Sequence, residues 1–262
     1  MLKKMLAHMF GSESRRRETG SARQTQADDL ALAARDGLMA LLRGGPRPVA
    51  PIDYEQVAYW MAAVSSAEYF MQKMGQARNL VDPHSLLLFA FEQRPVNGLL
   101  LEFGVYRGDT MRLLAQNCEQ VVHGFDSFEG LPEDWTHFQK KGRFSLQGQL
   151  PAFAEKNIAL HPGWFDQSLP AFLAAQRGNV SFLHVDCDLY SSTNTMLTLL
   201  ADRLVSGSVI VFDEYLNYPN WQQHEFRAFQ EFVARHGWQY EYLGFASARQ
   251  SVAVRLTGPK AA

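Results

Sequence analysis

Leu99-Leu100-Leu101-Glu102-Phe103-Gly104-Val105-Tyr106-Arg107-Gly108-Asp109-Thr110 is the stretch that sets the fold. A short β-rich apolar run ends at two spaced glycines, and a helical pattern covers about 107–117. The same alternation then repeats. Further β-rich runs fall at Val121–Phe125, Ile158–Leu160, Val180–Val185 and Ser208–Phe212, with helical patterns near 167–176 and 190–204. Strand–helix alternation implies a parallel sheet with helices on both faces, and nearly continuous apolar strands imply burial on both sides. A helix over about 222–235 precedes two last runs, Trp238–Phe245 and Ser251–Arg255, spaced closely enough to form an antiparallel hairpin. The expected architecture is α/β: a Rossmann-like, doubly wound, seven-stranded sheet whose last strand is antiparallel.

Upstream of this pattern, residues 30–96 read as a helical N-terminal extension without strands. It has helices over 30–43, 53–76 and from Asp82 to about Arg94, with a break at Gly44–Pro48. In the second helix Tyr54, Val57, Ala58, Met61 and Val64 share one side. Residues 1–29 are basic and polar beyond Phe10, include Arg15-Arg16-Arg17, and read as a mobile leader. The domain proper is expected at 97–262.

Composition narrows the function. With 262 residues, 47% hydrophobic and 20% charged, the chain is globular in type rather than collagen-like, coiled-coil or disordered. A net charge of −2 gives no positive field for nucleic acid. No apolar run approaches the ~20 residues needed to cross a bilayer. Two cysteines, Cys118 and Cys187, make no disulfide framework and fit a reducing cytoplasm. The expected partner is a small-molecule acceptor, with no membrane or nucleic-acid role; a homo-oligomer stays open.

In doubly wound sheets ligands bind beyond the carboxyl ends of the strands. At the first end, Gly104 and Gly108 permit a tight turn, but the G-x-G-x-x-G pyrophosphate cradle is missing, which favours a nucleoside without a pyrophosphate over a nicotinamide dinucleotide. At the second, Asp126 lies 24 residues after Glu102, where a carboxylate can accept both hydroxyls of a ribose or serve as a helix cap. At the third, Trp164 and Phe165 are either an adenine wall or core. At the fourth and fifth, Asp186, Asp188, Asp213 and Glu214 crowd two neighbouring strand ends. Such acids repel unless their pKa values rise or a cation neutralises them, and oxygen donors in this number suit Mg²⁺. A capped, salt-bridged structural cluster is the alternative.

Taken together, Glu102-Phe-Gly-Val-Tyr-Arg-Gly, Gly124-Phe-Asp-Ser-Phe-Glu-Gly-Leu-Pro, Asp186-Cys-Asp-Leu-Tyr-Ser-Ser and Asp213-Glu-Tyr resemble the macrocin O-methyltransferase family, within the class I S-adenosylmethionine-dependent methyltransferases. The resemblance runs from about residue 78 to 256. It implies cofactor contacts at Glu102, Gly104, Tyr106, Gly108, Asp126, Ser127 and Trp164. It implies Mg²⁺ at Asp186, Asp213 and Glu214, and Asp188 as the general base. The family commonly has Asp-Asp-Tyr where this chain has Asp213-Glu214-Tyr215, and residues 217–225 also depart from its usual text.

The expected reaction is methyl transfer from S-adenosylmethionine to a small-molecule hydroxyl, a sugar or other natural-product hydroxyl by analogy, with Mg²⁺ assistance. His224 is a second candidate base, or else a capping or surface histidine. The segment 133–149, with Trp135, Phe138 and Phe144, is a candidate cover. Competing readings are a metal-independent methyltransferase for a nitrogen or carboxylate acceptor, and a non-catalytic cofactor-binding partner subunit.

Overall fold

The computed structural model describes residues 53–80, 82–136, 138–247 and 249–259, together with Asp36. The expectations for the leader, and for the helix over 30–43 apart from Asp36, fall outside these residues. The chain divides into two compact units, Met1–Gly75 and Gln76–Ala262.

In the first unit, α1 spans Tyr54–Lys73. Asp53 caps it: one carboxylate oxygen accepts the N–H groups of Glu55 at 3.0 Å and Gln56 at 3.1 Å. Of the residues read as sharing one side, Val57, Ala58 and Val64 are half-buried. Tyr54 and Met61 are exposed, and the buried positions of the helix are Ala62 and Ser66.

The second unit holds β1 (Arg78–Leu80), α2 (Pro83–Glu92), β2 (Leu99–Phe103), α3 (Asp109–Gln116), β3 (Val122–Asp126), β4 (Ile158–Pro162) and α4 (Phe165–Ala175). It continues with β5 (Val180–Val185), α5 (Tyr190–Leu200), β6 (Leu204–Phe212), α6 (Glu225–His236), β7 (Trp238–Ala246) and β8 (Val252–Pro259). The sheet order is β1-β7-β8-β6-β5-β2-β3-β4. Only β8 runs antiparallel to its neighbours, β6 and β7. The seven expected strands and the reversed last strand are therefore present, with an eighth added at the edge.

That eighth strand, β1, corrects the expectation of a strand-free extension. Three residues, two of them polar, carry no readable period; pairing with Gly244–Ala246 makes them a strand. The sheet-bearing unit likewise begins at Gln76 rather than 97, because α2 is part of its core. β6 starts four residues earlier than read, since Gly207 interrupts the apolar pattern.

Alternation along the strands sorts the core into two layers. On one face Leu100, Val122, Phe182, Val209 and Val211 meet Leu86, Leu87, Ala90 and Phe91 of α2 and Met111 and Leu114 of α3. On the other, Phe103 stacks on Phe125 at 4.7 Å and meets Phe165 of α4 edge-on at 5.0 Å, while Phe212 packs against Phe229 of α6. Because β2 pairs with β3 on one side and β5 on the other, the connections diverge at its carboxyl end and open a crevice there. No helix among the described residues is long and apolar enough to cross a membrane.

Candidate active site

A cavity of about 550 Å³ occupies that crevice. Its floor at the end of β2 is Gly104, whose φ is +89°. A Cβ on Gly104 would lie 1.7 Å from the Asp186 carbonyl oxygen, so only glycine lets the two strand ends close together.

Asp126 organises this turn. Its Oδ2 accepts the N–H groups of Val105 and Tyr106, both at 2.8 Å, and its Oδ1 accepts that of Phe128 at 2.7 Å. A carboxylate offers about four accepting positions, so three backbone bonds leave about one for a ligand. The two-hydroxyl ribose clamp expected of Asp126 is thereby reduced to a single accepting position, with the turn as its other duty. Tyr106, Ser127, Trp164, Phe165 and Asp166 line the cavity around it.

Two expected contacts lie elsewhere. Glu102 alternates onto the α3 face, is 0% exposed, and does not line the cavity. Its Oε2 is 3.0 Å from His184 Nδ1 and its Oε1 accepts the Thr110 hydroxyl at 2.9 Å. Burial works against a charged His184, but the hydrogen bond and charge of Glu102, with Asp186 and Asp213, lift its pKa to about 9. Gly108 caps α3 at φ +78°, where a Cβ would strike the Phe153 ring at 2.4 Å. Its glycine is required by packing, not by a ligand.

At the other end of the cavity stand the acids. Asp186, Asp188 and Glu214 each offer an oxygen, all three within 4.8 Å of one another. Burial raises all three carboxyls above their ordinary range, and the Asp213 charge adds to it; Asp188 reaches about 7. Asp188 is held at φ +62°, a left-handed backbone that costs about 1–3 kcal/mol for a non-glycine residue. Glu214 Oε2 is buried without a hydrogen-bond partner. Hard oxygen donors, mutual repulsion and an orphaned buried oxygen together fit a divalent cation.

Of the expected ligands, Asp186 and Glu214 fall in this trio and Asp213 stands beside it, its charge the strongest influence after burial on all three carboxyls. Asp213 Oδ1 accepts the Ser251 hydroxyl at 2.9 Å, and Asp213 lines a separate cavity with Asp82, His84 and Arg249. Glu214 lines the crevice. Asp188, expected as the base, lies within the same trio.

His224 is half-buried beside the Trp135 ring at 6.3 Å and the Tyr218 ring at 6.2 Å, and it does not line the cavity. Burial lowers its pKa.

The segment expected to act as a cover forms a folded wall. Leu131 and Gly142 exchange backbone bonds with Arg143 and Leu131, and Glu133 accepts the Ser191 hydroxyl at 2.6 Å. Leu131, Trp135 and Phe144 line the cavity, whereas Phe138 is exposed. Glu225 has no counterpart among the expected site residues. It is fully buried at the start of α6, and burial and the Asp188 charge raise its carboxyl well above the usual range. An acid in a first helical turn is favoured at the surface too, so the sequence held no signal to single it out.

The family model described as Macrocin-O-methyltransferase (TylF) matches residues 74–239. The 8-demethyl-8-(2,3-dimethoxy-alpha-L-rhamnosyl)-tetracenomycin-C 4'-O-methyltransferase of Streptomyces olivaceus is 29% identical over 147 residues, covering 46% of this chain and 54% of that protein. The demethyldecarbamoylnovobiocin O-methyltransferase of Streptomyces niveus is also 29% identical over 147 residues, covering 47% and 55%. The chain thus matches about half the length of these curated relatives.

Among solved structures, the O-methyltransferase NovP is similar at 23% identity and TM-score 0.51, over 66% of this chain and 79% of that one. A calicheamicin methyltransferase is similar at 18% identity and TM-score 0.51, over 84% and 90%. These two likenesses are of fold. With the matched segment running through the strand ends that build the crevice, the chain belongs to the macrocin O-methyltransferase family.

Proposed function

We propose that this protein transfers a methyl group from S-adenosylmethionine to a hydroxyl of a small molecule, a sugar or another natural-product hydroxyl, with Mg²⁺ held at the acidic trio. The reading rests on one observation: a single cavity joins a nucleoside-type end, at Gly104, Tyr106, Asp126 and Trp164, to Asp186, Asp188 and Glu214. The relatives named as O-methyltransferases support the acceptor atom.

S-adenosylmethionine supplies an activated methyl on a sulfonium. Mg²⁺ supplies a charge that lowers the pKa of a hydroxyl near it. The residues provide the rest. Asp126 accepts a ribose hydroxyl with its remaining position, and Trp164 walls the base. Asp186 and Glu214 would hold the cation. Asp188, which lines the cavity beside them, is the group that would receive the hydroxyl proton. Leu131, Trp135 and Phe144 exclude water and fix the approach of the acceptor, since transfer requires the attacking oxygen about 3–3.5 Å from the methyl carbon and in line with its bond to sulfur.

The two cysteines, both free, support a reducing compartment such as the cytoplasm. The experiment is methyl transfer from labelled S-adenosylmethionine to sugar, phenol and amine acceptors, with Mg²⁺ or with EDTA. Label on a hydroxyl acceptor only with Mg²⁺ upholds the proposal. Label on an amine acceptor, or transfer indifferent to EDTA, replaces it with a metal-independent reaction.

A further inference from the structure

The backbone of β6 leaves the sheet in a specific way. Asp213 N–H still donates to the Val185 carbonyl of β5, at 2.9 Å. The next N–H, that of Glu214, finds no strand. It donates instead to Glu225 Oε2 at 3.1 Å, eleven residues further on. Tyr218 O–H donates to the Glu214 carbonyl at 3.2 Å. Glu214 is thus held on both sides of its α-carbon, by Glu225 on the N–H side and by Tyr218 on the carbonyl side.

Glu225 is an expensive residue for this task. It is 0% exposed, its Oε2 makes this one hydrogen bond, and its Oε1 is buried with no partner among the described residues. A buried carboxyl so poorly satisfied costs several kcal/mol, and a backbone carbonyl or an amide would satisfy the N–H for less. What Glu225 provides is an acceptor that reaches from the first turn of α6 to the peptide at the end of β6. The direction of the Glu214 carboxylate depends on that peptide.

We propose that Glu225 is the positioning residue of the acidic trio: by holding the Glu214 N–H it aims the Glu214 carboxylate toward Asp186 and Asp188 for cation binding. This inference rests on the reading of the trio as a cation site. Glu225 lies outside the group of oxygens within mutual reach, Asp186, Asp188 and Glu214. Outer partners of metal ligands typically change affinity by about 10–100-fold when removed.

The test separates reach from the carboxyl group. Mn²⁺ is titrated into the full chain and free ion followed by electron paramagnetic resonance. S-adenosylhomocysteine affinity, measured by calorimetry, reports on the far end of the cavity. Glu225→Gln keeps an oxygen within reach of the Glu214 N–H but no carboxyl; Glu225→Asp keeps the carboxyl but falls short by one methylene. The proposal expects Glu225→Gln to bind Mn²⁺ within about threefold of the parent and Glu225→Asp to lose about tenfold or more. Both should bind S-adenosylhomocysteine within about twofold. Retained Mn²⁺ affinity in Glu225→Asp, or a loss in Glu225→Gln equal to that in Glu225→Asp, overturns the proposal alone. Absence of Mn²⁺ binding by the parent overturns the cation reading, and this inference with it. Where a variant loses S-adenosylhomocysteine binding as well, Tyr218→Phe decides. Removing the donor on the carbonyl side should weaken Mn²⁺ several-fold, and an unchanged affinity counts against the clamp.

Discussion

Asp213 and Glu214 are adjacent in the chain, yet their carboxyls make different contacts: Glu214 lines the crevice with Asp186 and Asp188, while Asp213, beside them, accepts the Ser251 hydroxyl at 2.9 Å and also lines a second cavity with Arg249 and His84. The two should therefore separate on substitution. Glu214→Ala or Asp186→Ala is expected to lower turnover more than 100-fold. Asp213→Ala should cost less than tenfold in Mn²⁺ affinity, and about 1 kcal/mol of stability for the lost hydroxyl bond. Equal Mn²⁺ isotherms for Glu214→Ala and Asp213→Ala would place both acids at the ion.

Gly104→Ala tests the floor of the cavity. The new Cβ meets the Asp186 carbonyl oxygen at 1.7 Å, and the positive φ alone costs about 1–3 kcal/mol. Calorimetry should show S-adenosylhomocysteine affinity falling at least tenfold, with a lower denaturation midpoint. An alanine variant that binds like the parent would show that this turn is not part of the pocket.

Glu102 and His184 form a buried pair under the site, and removing one partner of such a pair costs about 3–5 kcal/mol. Glu102→Ala should lose about that much in urea unfolding. The pair also sets a pH dependence. The folded pKa of His184, about 9, lies above its ordinary 6.5, so its contribution is complete below 6.5 and is lost as pH rises through 9. Unfolding midpoints at pH 6.5 and 9.5 should differ in the parent and converge in Glu102→Ala.

His123 and His161 behave oppositely. Their ring nitrogens lie 3.1 Å apart, a bond that needs one neutral acceptor. Burial, with the charge of His161, lowers His123 to about 4, and burial lowers His161. The native state thus binds fewer protons than the unfolded chain. The stabilising effect is complete above pH 6.5 and fades as pH falls toward 4. Urea midpoints between pH 7 and 4.5 should fall less in His161→Phe than in the parent; parallel curves would contradict this.

Much of this molecule can be read from its residues. Leu99–Phe103 and Val180–Val185 show their strands because burial on both faces leaves apolar runs, and the Trp238 run shows its strand by alternation. The site was legible wherever a strand end imposes a position, as at Gly104, Asp126, Asp186 and Glu214. What escaped the reading lies in directions and distant closures. Glu102 turns inward because of its parity on β2, and Asp213 takes its donor from Ser251, just before a strand that follows late in the chain. Glu225 reaches Glu214 across eleven residues of irregular backbone. Arg78–Leu80 became a strand only because β7 offered an edge.

The most direct measurement is cation-dependent methyl transfer by the full chain, comparing the parent with Asp186→Ala on a panel of sugar and other hydroxyl acceptors with labelled S-adenosylmethionine. Label should appear on a hydroxyl acceptor with Mg²⁺, vanish with EDTA, and stay absent in Asp186→Ala although that variant still binds S-adenosylhomocysteine. Undiminished transfer in EDTA, or in Asp186→Ala, would contradict a cation at these acids.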